Sequence, residues 1–152
     1  MINKWSFEIV SWLLTAALTA AILLPIYQSV PEYPFWIPNI VFIVTLITLT
    51  RFIFLLPHTF LAKRQWLKGA CVFLSIPLIF YLIQEINYFQ TFLDEEGIAA
   101  IVGELPARQQ RDMIQYVRSE MLLFGVGSTI SSVIFPFRMI QSIWLLHNRG
   151  RV

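Results

Sequence analysis

The chain has 152 residues, 57% of them hydrophobic and only 13% charged, with a net charge of +2; a soluble domain carries roughly twice that charged share. The length would suit one soluble domain, but a soluble core does not require unbroken apolar runs of about 20 residues, the length that crosses roughly 30 Å of hydrocarbon. The single cysteine, Cys71, excludes an intramolecular disulfide and reads as a small packing residue within a helix.

The first apolar segment covers 7–27, FEIVSWLLTAALTAAILLPIY. A cleavable signal peptide is the rival reading, because LTAA-type stretches can precede a cleavage site. The run is longer than such peptides carry, and Glu8 interrupts its start, so it is read as a membrane span. The second segment, 36–60, follows a proline-rich loop, VPEYPFWIP, and the third covers 67–89. The fourth covers 121–146. Inside lipid only helices and closed barrels satisfy the backbone, and these continuous runs lack the period-2 alternation of strands. The expected fold is therefore an all-α membrane protein, one polytopic domain over 1–152, with four transmembrane helices in a bundle.

Basic residues orient the spans. Lys4 precedes the first helix, Lys63, Arg64 and Lys68 fill the turn between the second and third, and Arg149 and Arg151 follow the fourth. All six fall on one side. The other side holds Glu32, then Asp94, Glu95, Glu96, Glu104, Asp112 and Glu120, against Arg108, Arg111 and Arg118. The expectation is a bacterial-type inner membrane with both termini cytoplasmic. The outer loop, 91–120, is expected to form a helical extracytoplasmic lid. Asp94 would cap a short helix, Glu95 and Glu96 would complement its dipole, and Gly103 would stop it. Pro106 would open a second helix, in which Arg108 and Asp112 stand four apart, and which runs without a breaker into the fourth span.

Small residues mark where helices could approach closely: Ser11, Thr15 and Thr19 beside Ala16, Ala17, Ala20 and Ala21 in the first span, and Gly125, Ser128 and Ser132 beside Gly127 and Ser131 in the fourth. Two arginines stand inside apolar runs. Arg51 precedes His58 by seven residues and Arg138 precedes His147 by nine, which places both guanidiniums roughly 10–15 Å above the cytoplasmic boundary at a helical rise. Arg51 shares a face with Thr48, and Arg138 one with Gln141 and Ser142. The acid of that half is Glu8, so two buried cations face one candidate anion. Carbonyls, a bound anion or a partner chain must supply the rest. The candidate intramembrane polar network is thus Arg51, Arg138, Glu8, Thr48 and Gln141.

Toward the outer end, Glu85 of the third span and Arg118 are expected to clamp the lid. His58 and His147 share a cytoplasmic level on two helices, the arrangement a bis-His haem b would need. They also stand beside basic residues at a membrane edge, where side chains face headgroups. No cofactor is expected from this pattern, and no metal, since neither histidine has a ligand at metal-binding spacing. Without a nucleophile elbow, phosphate loop or carboxylate pair, the leading expectation is a non-enzymatic accessory or scaffolding subunit of a membrane complex. It would contact lipid and other membrane subunits or copies of itself, and no nucleic acid. The alternatives are a small oligomeric anion channel or transporter using Arg51 and Arg138, and a lipid- or quinone-binding membrane enzyme.

Overall fold

The structure, a computed structural model, describes residues 4–97 and 99–148; Arg149 and Arg151 lie outside them. All its regular structure is helical. α1 spans Lys4–Ser29, α2 Trp36–Leu55, α3 Gln65–Glu95, α4 Ala99–Val102 and α5 Ala107–Asn148, with two 3-10 turns, Leu56–His58 and Phe60–Lys63, between α2 and α3. Four of these helices are long and apolar enough to cross a membrane. α5 packs along both α2 and α3, and α1 leans chiefly on α2. One end of the molecule, holding the α2–α3 turn, is basic; the other, holding the α1–α2 loop and the α3–α5 connection, is acidic.

Helix boundaries depart from the sequence expectation in two places. α2 stops at Leu55 rather than running to residue 60, because Pro57 has no N–H to return to the Ile53 carbonyl and so breaks the helical ladder. Pro25, Pro77 and Pro136, by contrast, lie inside helices. Second, Asp94 does not cap a new helix. It belongs to the last turn of α3, which continues through Glu95. Gly97 sets that boundary: its φ of 71° is the left-handed conformation that favours glycine, and the N–H groups of Glu96 and Gly97 both donate to the Phe92 carbonyl. The expected short helix shrinks to the four residues of α4. α5 is continuous as expected, and its 42 residues extend about 63 Å at the helical rise.

Two apolar clusters hold the helices together. At the acidic end, Tyr33 and Phe35 of the α1–α2 loop turn inward. The Phe35 ring meets those of Phe89, Phe92 and Tyr88 at centroid distances of 5.2, 5.1 and 5.7 Å, within the range of favourable aromatic pairing. Val102 of α4 packs into the same cluster. At the basic end Leu49, Phe52, Leu56, Leu61, Phe135 and Met139 form the second. Between them α5 comes close to its neighbours on small residues. A side chain at Gly125 would place its Cβ 3.0 Å from Ile86 and 3.3 Å from Phe42. Ser128 and Ser132, one and two turns on, are completely buried and return their hydroxyls to the carbonyls of Gly125 and Ser128. The small-residue stripe of the fourth span is thus used inside the molecule. On α1, Thr15 and Thr19 face inward while Ala16, Ala17, Ala20 and Ala21 are exposed.

Candidate functional site: charged groups buried at the two ends

At the basic end, Glu8 lies in the second turn of α1, 7% exposed. Its Oε1 accepts the Phe60 N–H at 3.2 Å, and its Oε2 stands 3.1 Å from Arg51 Nη2. One carboxylate therefore joins α1, the second 3-10 turn and α2. The contact with Arg51 is a charge pairing and not an aligned hydrogen bond, since Nε and Nη2 of Arg51 lack hydrogen-bond partners among the described residues. Aromatic faces take up part of that deficit: the guanidinium carbon lies 4.6 Å from the Phe52 ring centre and 5.7 Å from that of Trp12.

Arg138 has a different solution. Its Nε donates to the Ile53 carbonyl at 3.1 Å and its Nη1 to Gln141 Oε1 at 2.9 Å. The carbonyl is open for a sequence reason. In a helix Ile53 O would accept the N–H four residues on, and that position is Pro57, which has none. Both partners are neutral, so Arg138 is hydrogen-bonded but its charge is not matched among the described residues. The structure thus brings Arg51 to Glu8 and Arg138 to Gln141. Thr48 is half-buried on α2 and bonds to neither arginine.

By its sequence position Lys68 belongs to the turn, as one of three basic residues setting topology. It is instead wholly buried, with Nζ 2.7 Å from the Ala62 carbonyl and 2.9 Å from Ser142 Oγ. The signal was present in α3: Lys68, Ser75, Leu82 and Phe89, each buried, recur every seven residues. Lys68 ties α3 to the 3-10 turn and to α5, four residues past Arg138.

The acidic end holds a cluster that composition did not reveal. Asn39, wholly buried in the first turn of α2, donates from Nδ2 to Glu120 Oε2 at 2.7 Å and to the Tyr33 hydroxyl at 3.4 Å. Glu120 is 5% and Tyr33 3% exposed. Asn39 Oδ1 and Glu120 Oε1 are buried acceptors without a donor among the described residues. Burial, and then the nearby Glu120 carboxylate, push the Tyr33 hydroxyl well above its ordinary value, so it stays a neutral group. By position Glu120 groups with the loop acids, yet it continues the apolar stripe of Val117 and Met121 at helical spacing. Nearby, the Tyr116 hydroxyl donates to the Ile22 carbonyl at 2.6 Å and ties α5 to α1.

Glu85 and Arg118 form no ion pair among the described residues. Glu85 is half-buried on α3, whereas Arg118 is exposed, one residue past inward-facing Val117 and so turned about 100° away from it. Arg118 lines a cavity of about 450 Å³ with Gln90, Asp94 and Ile114. His58 is exposed in the first 3-10 turn with its ring 6.3 Å from that of Phe7, and His147 is exposed near the end of α5. No contact joins the two histidines among the described residues. Cys71 is a half-buried free thiol.

Two recesses open at the basic end. One, of about 760 Å³ beside α1, is lined by Trp5, Glu8, Trp12, Phe60, Lys63 and Arg64 among others. The other, of about 320 Å³, is lined by Arg138, Lys63 and Ser142 against an apolar wall. Compared with known proteins, the chain matches no family model, no curated protein and no solved structure.

Proposed function

We propose that the chain is an integral protein of a bacterial-type inner membrane, and that it serves as a non-enzymatic accessory or scaffolding subunit of a membrane assembly. In this reading the basic end is cytoplasmic, with both termini there. The four long helices form a bundle, and α4 with the first turns of α5 is an extracytoplasmic lid. The four candidate spans and the collection of short-loop basic residues at one end support this orientation.

The observation that carries the subunit role is the free alanine face of α1. Ala16 with Ala20, and Ala17 with Ala21, stand one turn apart and exposed, whereas Gly125, Ser128 and Ser132 on α5 are already covered. Apolar side chains gain nothing by leaving lipid for a neighbouring helix, so association depends on close packing, which small residues permit. A helix seated on α1 would meet this notch between Leu13 and Leu24, both exposed. The anion-channel reading draws less support, since Glu8 already pairs with Arg51 and the recess that Arg138 lines does not include Arg51.

Replacing Ala17 or Ala20 by Trp should strip the partner. In a gentle detergent, native mass measurement of the wild type is expected to show the chain bound to a second subunit, foreign or identical, and the variants are expected to appear as single chains. A wild type that is a single chain in both detergent and nanodiscs would sink the subunit reading.

A further inference from the structure

The smaller recess at the basic end is cationic and has no matching acid among the described residues. Its polar side is formed by Lys63, Arg138 and Ser142, its apolar side by Leu56, Leu145 and Leu146. Lys68 lies behind Ser142, wholly buried, and among the described residues it bonds to the neutral Ser142 hydroxyl and Ala62 carbonyl alone. Arg138 spends Nε and Nη1 on neutral acceptors as well. Among the described residues the carboxylate of this end is Glu8, and it pairs with Arg51. Three cations thus stand around one recess without a counter-charge among the described residues, and two of them, Arg138 and Lys68, hydrogen-bond there to neutral groups. Gathering like charges around one recess is costly unless an anion joins them.

We propose that this recess binds a phosphate-class anion, carried by an anionic phospholipid headgroup or by free phosphate. Its three donors converge from two elements: Lys63 from the 3-10 turn, and the guanidinium of Arg138 and the hydroxyl of Ser142 from α5. Ser142 accepts from Lys68, which leaves its own O–H free to donate into the recess. Charge-assisted donors of this kind match phosphate oxygens. The leucine wall beside them offers acyl chains a surface, and basic pockets between membrane helices hold anionic headgroups in this way. The proposal is separate from the subunit reading, because binding is measured on the single chain.

The test is a titration of the purified full chain with phosphatidylglycerol, with phosphatidylcholine of the same acyl chains, and with inorganic phosphate. Retained lipid is read by native mass measurement and phosphate binding by the melting temperature. Phosphatidylglycerol is expected to bind about tenfold more tightly than phosphatidylcholine, and Arg138→Gln and Lys63→Gln each to lower its affinity about fivefold. Arg64→Gln removes a charge from the same end but lines the recess beside α1, and is expected to change affinity by less than about twofold. If phosphate alone raises the melting temperature of the wild type and not of Arg138→Gln, the free anion is the source. Arg138 also ties α5 to α2, so Lys63→Gln, at an exposed residue, keeps the test decisive if Arg138→Gln does not fold. Equal binding of the two lipids with no response to phosphate overturns the proposal. So does an Arg64→Gln loss as large as that of Lys63→Gln.

Discussion

Glu8→Gln is expected to lower the unfolding free energy by about 3 kcal/mol, because removing one partner of a buried ion pair leaves the other charge uncompensated. The substitution isolates the charge. A glutamine carbonyl oxygen can still accept the Phe60 N–H that Glu8 Oε1 accepts at 3.2 Å, so the loss falls on the contact with Arg51. Both side chains of that pair are only 9% exposed. The faces of Phe52 and Trp12 would hold part of the stranded guanidinium, though a cation–π contact contributes about 0.5–2 kcal/mol and does not replace a carboxylate. Arg51→Leu alone should cost a comparable amount, since Glu8 is then buried without a cation. The double variant Glu8→Gln with Arg51→Leu should recover most of the loss, because no charge is left unpaired. Unfolding in mixed detergent, followed by circular dichroism, reads all four proteins. Single variants that unfold with the wild type would show that the pair is solvated and contributes little.

At the acidic end the expected results run in opposite directions for two neighbours. Asn39→Leu is expected to destabilise by about 2 kcal/mol, the loss of a hydrogen bond to a charged group with its acceptor left buried. Asn39 Nδ2 supplies that bond to Glu120 at 2.7 Å. Glu120→Gln should leave stability unchanged or raise it by about 1 kcal/mol. Its carbonyl keeps the Asn39 bond, its amide brings a donor to a site where Asn39 Oδ1 and Glu120 Oε1 are both unpaired acceptors, and no buried charge remains. The check is the order of the unfolding midpoints: Glu120→Gln at or above wild type, Asn39→Leu below both. A Glu120→Gln midpoint as low as that of Asn39→Leu would mean that the carboxylate is held by a contact other than Asn39.

The four spans were legible because unbroken apolar runs have few other uses; that Glu8 faces two arginines was legible too, but not that its partner is Arg51. What sequence reading lost was the inward face. Lys68 and Glu120 looked like solvated loop charges by position, and only their place on helical stripes, Lys68 with Ser75 and Leu82, Glu120 with Val117 and Met121, marks them as buried. The small residues of α1 and α5 follow similar patterns, yet α5 lies between α2 and α3 and hides its stripe, while α1 at the edge leaves its alanines bare. That difference is a property of the packing and not of either segment. The end of α2 was signalled by Pro57, but Pro25, Pro77 and Pro136 sit inside helices, so proline alone did not mark where the chain turns. The Glu85–Arg118 clamp assumes a common depth, whereas Arg118 lines a cavity with Gln90 and Asp94, residues beyond Glu85 along α3.

The basic and acidic ends are expected to lie on opposite sides of a membrane. Single cysteines placed by Arg64→Cys and Glu104→Cys, each in a Cys71→Ser background, put one thiol at each end on residues that are exposed. A membrane-impermeant maleimide added to intact spheroplasts is predicted to label Glu104→Cys and to reach Arg64→Cys only after the membrane is permeabilised. Labelling of both from outside, of neither, or of Arg64→Cys alone would contradict the account.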